Sequence, residues 1–275
     1  MSNPAPTPTF PALFIGHGSP MTVITDNPDR AALEALGPRL PRPRAVLCLS
    51  AHWQTQGRTH LSAGAHPRTI HDFGGFPQAL FDIQYPAPGS AELVAEAIAA
   101  IGPEAAVADE SWGFDHGTWG VLRPMFPQAD VPIVAMSINR ALDAAGHLEL
   151  GRKLAPLRES GVLLVGSGNV VHNLSLYRQT LGTQPDWAVD FQRRVNAALL
   201  DRDDTPLTRF AADDRAAALA INSAEHYIPL LTVAGARRPD DGIRLFNDRI
   251  DGAMSMTSVL YGDPALLDGI APIAA

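Results

Sequence analysis

The chain of 275 residues contains one cysteine, Cys48, and one lysine, Lys153. A single cysteine excludes an internal disulfide and every metal site that is built from several cysteines. A single lysine leaves Lys153 as the only side chain for Schiff-base chemistry, and its polar neighbours are typical of a solvated helix face. Thiolate and amine chemistry are therefore nearly excluded. The nine histidines remain as the main source of metal ligands and proton carriers.

Basic runs and long apolar runs are also missing. The 21 basic and 29 acidic residues give a formal charge of -8, which disfavours nucleic acid as a partner. No apolar stretch reaches the roughly 18–20 residues that span a bilayer. Residues 1–11 lack the basic and apolar regions of a signal peptide. We therefore expect a cytoplasmic protein with no nucleic-acid or membrane partner, and a homo-oligomer stays open.

Short apolar runs alternate with segments of helical periodicity along the chain. This alternation predicts an α/β fold in which helices flank a mostly parallel central sheet. We expect a flexible tail at residues 1–11 and a single catalytic domain at residues 12–275. The predicted strands are residues 12–15, 45–50, 131–138 and 162–165, with edge strands within residues 243–261. The predicted helices are residues 29–36, 91–101, 143–158, 187–200, 213–220 and 224–234, and the long loops are residues 54–90 and 110–127.

Histidines follow three of the four predicted strands, at His17, His52 and His172. Ligands of open α/β sheets bind at the carboxyl ends of parallel strands, so these rings can meet in one crevice. One histidine after a strand is more often a hydrogen-bonded structural residue. Three at equivalent strand ends favour a site, and imidazole suits zinc, iron, copper or nickel.

A fourth candidate, His116, lies in a loop rich in glycine and aromatic residues, directly after Asp115. A carboxylate at this position can orient the ring or raise its pKa, although neighbouring side chains need not touch. The alternative is a purely structural loop that packs on Trp112 and Trp119.

A fifth candidate, His226, begins a predicted helix for which Ser223 is a suitable N-cap. Glu225 precedes it, and adjacent residues point about 100° apart on a helix, so we expect only one of the two to face the crevice. A carboxylate is favourable in the first helical turn without any ligand role. His226 is therefore the better candidate ligand.

The remaining four histidines rank lower. Polar surroundings predict that His60, His66 and His147 are exposed. His71 lies in an aromatic loop, where lining a substrate pocket and a structural role are equally compatible with the sequence.

Six short motifs resemble, in order, those of the LigB-type class III extradiol ring-cleavage dioxygenases, in the bacterial branch that is similar to 4,5-DOPA dioxygenase. The resemblance spans about residues 12–250. Each motif alone is weak, but the ordered set is specific. The motifs are GHGSPM at 16–21, SAHW at 50–53, DFGGFP at 72–77, DHGTW at 115–119, GSGNVVHN at 166–173 and AEH at 224–226.

The resemblance implies one divalent non-haem metal per chain. His17 and His52 match the family's two histidine ligands. The third ligand of the wider superfamily is a glutamate, whereas here His226 best fits its position and Glu225 lies one residue earlier. Fe(II) is the metal expected for activity, but an all-histidine site also suits Zn(II).

The resemblance further assigns acid–base work to His116 and His172, with a fourth-ligand role as the alternative for His172. The implied reaction joins a small aromatic diol, a DOPA-like catechol, to O2 and opens the ring to a semialdehyde. Phe73, Phe76 and Trp53 are candidates for an aromatic wall around the substrate.

Three other functions use the same residues. Zinc on the histidine cluster would activate water for hydrolysis. A serine hydrolase is disfavoured, because neither GHGS at 16–19 nor GSG at 166–168 is the G-x-S-x-G elbow. A non-enzymatic metal- or ligand-binding protein is the third alternative.

Overall fold

The computed structural model describes residues 9–269, which contain ten strands and eleven α-helices. The strands are β1 Ala12–Gly16, β2 Ala45–Thr55, β3 Thr59–Ser62, β4 Ala106–Asp109, β5 Ile133–Asn139, β6 Val162–Gly168, β7 Gly242–Phe246, β8 Ile250–Asp251, β9 Met254–Ser255 and β10 Ser258–Gly262. The α-helices are α1 Pro28–Leu36, α2 Gln78–Phe81, α3 Ala91–Ile101, α4 His116–Met125, α5 Ala144–Leu154, α6 Leu174–Thr180, α7 Asp186–Asp201, α8 Thr205–Thr208, α9 Arg215–Ala220, α10 Ile228–Gly235 and α11 Pro264–Gly269. Single 3-10 turns occur at Pro20–Val23, Gly37–Arg39, Ala155–Ser160 and Ala224–His226.

Eight of these strands form one sheet, in the order β4-β3-β5-β2-β6-β1-β10-β7. Its centre, β5-β2-β6-β1, is parallel throughout. Antiparallel pairs join β3 to β5, β10 to β1 and β7 to β10. The predicted α/β class with a mostly parallel central sheet is confirmed. The expectation of edge strands within residues 243–261 is right for β7 but wrong for β10, which lies inside the sheet.

The central strands are apolar on both faces because helices cover both. Every residue of β1 and β6 is buried, as expected for parallel strands between two helical layers. On one side, α3, α5, α7 and α10 contribute their apolar faces to a first core. On the other side, α1 and α4 pack in a second core. The central strands therefore lie between two packed helical layers.

Several element boundaries in the structure differ from the predicted ones. The long loop at 54–90 contains β3 and α2, and the loop at 110–127 contains α4. Glycine, aromatic residues and Pro124 obscure α4 in the sequence, but the Asp115 side chain caps it by accepting from the amide of Thr118. The predicted helix at 143–158 changes to a 3-10 turn after Leu154, and that at 224–234 begins with a 3-10 turn. β2 continues to Thr55, so His52 lies inside the strand and not after it.

The amino-terminal tail was predicted at residues 1–11, of which residues 1–8 lie outside the described part of the chain. Phe10 is held by two hydrogen bonds with Arg158, one from its amide (2.9 Å) and one to its carbonyl (2.6 Å). Arg158 is fully buried and also pairs with Asp241. No helix within residues 9–269 combines the length and the apolar character that crossing a membrane requires.

Candidate metal centre

Three neighbouring strands, β2, β6 and β1, bring the first three histidines to one edge of the sheet. His17 directly follows β1, and its amide donates to the carbonyl of Gly168 at the end of β6 (3.1 Å). The ring centroids of His17 and His52 lie 4.9 Å apart. His172 follows β6 by four residues. The shared edge follows from strand order, because parallel neighbours end on the same side.

His226 joins them from a 3-10 turn that packs against the end of β6. An added Cβ at Gly168 would lie 2.1 Å from the His226 carbonyl oxygen, so only glycine permits this approach. The same carbonyl accepts a hydrogen bond from the amide of Asn169 (2.8 Å). The His226 ring centroid is 5.2 Å from those of both His17 and His52.

His116 is the first residue of α4 and stacks on His52, with ring centroids 3.9 Å apart. Gly117 permits this contact, because a Cβ there would lie 2.5 Å from the Ser50 hydroxyl and 3.2 Å from Nδ1 of His52. Asp115 is fully buried, accepts from Ser50 (2.6 Å) and caps α4. Asp115 therefore builds the helix start and is not the ring's partner.

The carboxylate that meets the His116 ring belongs to Asp72, in the loop of residues 71–77. Its Oδ1 accepts from the His116 amide (2.8 Å), and its Oδ2 lies 2.9 Å from Nδ1 of His116. The same Oδ2 lies 3.0 Å from Nδ1 of His52. Sequence reasoning missed this partner. The only signal was the position of Asp72 at the start of the DFGGFP motif.

His172 and Glu225 flank His226. The rings of His172 and His226 stack with centroids 3.5 Å apart and planes 9° apart. Oε1 of Glu225 lies 3.2 Å from Nδ1 of His226 and accepts from the Ser223 hydroxyl (2.8 Å). Ser223 therefore binds Glu225 and does not cap the helix backbone. The side chains of Glu225 and His226 are therefore in contact, although adjacent residues on a helix point about 100° apart.

Within the described chain, two groups of three side chains bring candidate ligand atoms within 4.8 Å of one another. The groups are His17 with His52 and His116, and His172 with Glu225 and His226. They meet where Nε2 of His52 and Nε2 of His226 lie 3.2 Å apart. All five predicted site histidines therefore belong to one cluster.

Besides His116, three rings of the cluster have an oxygen at Nδ1. The pairs are His17 with Ser167 (2.9 Å), His52 with Asp72 (3.0 Å) and His226 with Glu225 (3.2 Å). An ionised carboxylate only accepts, so Nδ1 of His226 carries the proton and its Nε2 keeps a lone pair. The Asp72 anion 3.0 Å from Nδ1 of His52 favours the same tautomer in that ring. The Ser167 hydroxyl permits the same tautomer at His17. Metal-ligating histidines typically have this outer partner.

The two facing Nε2 atoms fit a cation between them. At 3.2 Å the two atoms are within hydrogen-bond distance, so either a proton on one ring or a cation bound by both can occupy the space between them. Two imidazole nitrogens bound to one zinc-like ion at about 2.1 Å lie roughly 3.0–3.4 Å apart. The spacing and the donor set therefore suit a divalent metal.

Burial keeps most of these rings neutral, which is the form that binds metal. Burial, followed by the neighbouring rings, lowers the pKa of His17 well below its usual range. Burial and the contact with His226 lower the pKa of His172 to about 3. Burial lowers the pKa of His226 to about 4, although Glu225 acts in the opposite direction. These rings are therefore unprotonated at neutral pH.

Asp72 opposes this effect of burial on the pKa of the two rings that it contacts. Burial lowers the pKa of His52, but Asp72 and Asp115 outweigh burial, so the net pKa is raised. Burial lowers the pKa of His116 overall, against an opposing contribution from Asp72. Burial raises the pKa of Asp72, yet its contacts with His116 and His52 hold that pKa far below its usual range. Asp72 is therefore an anion at neutral pH.

One of the three predicted wall residues, Phe73, contacts the cluster, and Phe76 lies behind it. The Phe73 ring meets that of His116 edge-on at 5.4 Å, and Phe76 packs on Phe73 at 5.4 Å. Trp53 instead stacks on Trp112 at 5.2 Å, so its described stacking contact lies outside the cluster.

The remaining histidines divide differently from the prediction. His66 is exposed as predicted, and His60 is half-buried and pairs with Asp109 at 2.9 Å. The prediction is wrong for His147, which is fully buried and lies on the buried face of α5 with Leu150 and Leu154. His71 lies 3.0 Å, through Nε2, from the carbonyl of Ile83 and packs among aromatic rings, which favours its structural role.

Comparisons with known proteins agree with this architecture. The family described as the catalytic LigB subunit of aromatic ring-opening dioxygenase matches residues 11–244. The chain is 46% identical to 4,5-DOPA dioxygenase extradiol of Escherichia coli K12, over 92% of this chain and 95% of that protein. It is 33% identical to 4,5-DOPA dioxygenase extradiol of Beta vulgaris, over 88% and 92% of the two chains.

A solved structure gives the same result. The crystal structure of an uncharacterized Escherichia coli K12 protein superposes with a TM-score of 0.78 at 40% identity, covering 92% of this chain and all of that one. The chain is thus an extradiol ring-cleavage dioxygenase, an oxidoreductase. It belongs to the LigB-type extradiol dioxygenase family, as its motifs indicated.

Proposed function

We propose that this dioxygenase opens the ring of a DOPA-like catechol with O2 and releases a semialdehyde. The observation that carries the proposal is the pair of Nε2 atoms, on His52 and His226, that face each other at 3.2 Å inside a cluster of five histidines. Relatives named 4,5-DOPA dioxygenase support the choice of substrate class.

In this proposal, His17, His52 and His226 hold one divalent metal through their Nε2 atoms. Fe(II) is the proposed metal for activity, and Zn(II) fits the same ligands. When bound, such an ion supplies Lewis acidity toward the catechol oxygens and brings O2 into contact with the ring. Glu225 then serves as the outer partner of His226 and not as a ligand.

His116 is the proposed acid–base group. Its Nδ1 is occupied by Asp72, so its Nε2 is free to take a proton from a catechol hydroxyl and return it later. His172 stacks on His226 and is neutral at neutral pH. It is proposed as a second proton carrier or as a fourth ligand.

Phe73 is the proposed wall for the aromatic ring. It meets the His116 ring edge-on and carries Phe76 behind it. An apolar wall beside the base excludes water and places the diol toward the imidazoles.

The test is anaerobic reconstitution of the chelator-treated protein with Fe(II), followed by DOPA and oxygenated buffer. We expect O2 uptake and a yellow product. His116→Ala should bind metal with unchanged affinity but turn over at least about 100-fold more slowly. The exposed His66→Ala variant is the matched control and should behave as the parent. Absence of O2 uptake and of colour with every catechol tested would refute the proposal.

The two alternatives from the sequence, a zinc hydrolase and a passive metal or ligand binder, are not favoured. The named relatives are dioxygenases. Ester hydrolysis by the Zn(II)-loaded protein without any catechol oxidation by the Fe(II)-loaded protein would reverse this preference.

A further inference from the structure

We propose that Asp72 is a positioning residue that serves two histidines at once, holding His52 and His116 in the tautomers that present Nε2 to the site. The roles of ligand and of acid–base group given to these two histidines rest on the proposed function. The positioning itself rests only on the contacts described below.

The Asp72 carboxylate hydrogen-bonds the backbone amide and the ring of His116, and it lies within ion-pair distance of the His52 ring. Oδ1 of Asp72 accepts from the backbone amide of His116 at 2.8 Å. Oδ2 lies 2.9 Å from Nδ1 of His116 and 3.0 Å from Nδ1 of His52. The bond to the amide fixes the direction of the carboxylate, so Oδ2 is aimed between the two rings.

The chemistry of the three groups sets both tautomers. A carboxylate has no proton to donate, so Nδ1 of His116 carries the hydrogen of its bond to Asp72. A lone pair on Nδ1 of His52 would face the same anion at 3.0 Å and be repelled, which favours a hydrogen there too. The Nε2 atoms of His52 and His116 then both keep a lone pair. The rings stack with centroids 3.9 Å apart, which makes a shared partner possible without a change in backbone.

Other carboxylate–histidine pairs in the described chain are different. Glu225 meets only His226 among the rings, Asp109 meets only His60, and Asp115 lies 4.0 Å from Nδ1 of His52 alone. Sharing has a consequence that these single pairs lack, because loss of one carboxylate disturbs two rings. The side chain of Asp72 is 19% exposed.

The test is Asp72→Asn in the metal-free protein, read by ¹⁵N chemical shifts of the imidazole nitrogens. The side-chain amide of asparagine can donate a hydrogen bond to Nδ1 of His116 or of His52. This favours the opposite tautomer, in which the hydrogen is on Nε2. We expect the Nε2–H form to increase in both His52 and His116, while His226 keeps its parent tautomer. Circular dichroism is used to check that the variant is folded. Asp72→Ala is the second variant and should leave both rings as tautomer mixtures.

The matched control is Asp109→Asn, which changes the same kind of pair outside the cluster and should alter His60 alone. Chelator competition should also show a 10–100-fold loss of metal affinity in Asp72→Asn and none in Asp109→Asn. Unchanged tautomers in both Asp72 variants, or a change in only one of the two rings, overturns the proposal. Failure of the ring-opening assay with the parent protein overturns the proposed function instead, since the tautomers are read without metal or substrate.

Discussion

Replacement of His147 by leucine should make this protein less sensitive to acid. His147 lies on α5 and is fully buried. Burial lowers its pKa to about 4, while the Asn139 backbone and Asp143 act in the opposite direction. The folded protein therefore holds this ring neutral at a pH where the unfolded chain protonates it.

The sign and size follow from proton linkage. The unfolded ring titrates near pH 6.5 and the folded ring near pH 4, so the unfolded state binds more protons between these values. The stabilisation is fully present above about pH 6.5 and is lost as the pH falls toward 4. With these two pKa values the loss is about 2 kcal/mol at pH 5 and about 3 kcal/mol at pH 4.

The assay is urea unfolding of the chelator-treated protein at pH 7.5 and pH 5.0. The other buried histidines contribute the same loss of unfolding free energy in parent and variant. The difference between the two proteins therefore reports on His147 alone. We expect the parent to lose about 2 kcal/mol more than His147→Leu over this interval. The exposed His66→Leu variant is the control and should track the parent. Equal losses in parent and His147→Leu would refute the reasoning.

Two further predictions concern the cluster. Glu225→Gln should weaken metal binding 10–100-fold in a chelator competition, because His226 loses its outer anion; a loss as complete as that of His226→Ala would mean that Glu225 is itself a ligand. Gly168→Ala should destabilise the protein by about 1–3 kcal/mol in urea unfolding and weaken metal binding, because the new Cβ would collide with the His226 carbonyl. Gly64→Ala is the control, since its Cβ meets nothing closer than 4.0 Å, and a Gly168→Ala variant as stable as this control would contradict the packing argument.

The sheet and the strand-end histidines could be predicted because their signals are local. Continuous apolar runs mark β1, β2, β5 and β6 as strands buried on both faces, and the alternation with helices makes them parallel. Parallel strands share one carboxyl edge, so His17 and His172 fall together whatever the details of the loops. The order of the strands was not readable, because it depends on how helices pack and not on any one strand.

The contacts of the loops could not be predicted in the same way. Asp72 and His116 are 44 positions apart, and neither lies in a strand whose direction would place it. Adjacency in sequence predicts Asp115 as a partner of the His116 ring. In the structure, Asp115 caps α4 instead. Polar neighbours in sequence predict an exposed His147. Helical geometry instead puts it on the apolar face of α5, three residues before Leu150.

The motif GSG at 166–168 explains why the ordered motifs carry more information than each alone. In isolation it is compatible with a serine nucleophile. In the fold, the Ser167 hydroxyl lies 2.9 Å from Nδ1 of His17, and Gly168 admits the turn that carries His226. One strand end thus orients one proposed ligand and makes room for another. With His226 as the proposed third ligand, Glu225 places its carboxylate against Nδ1 of the same ring, on the side away from the Nε2 atom that faces His52.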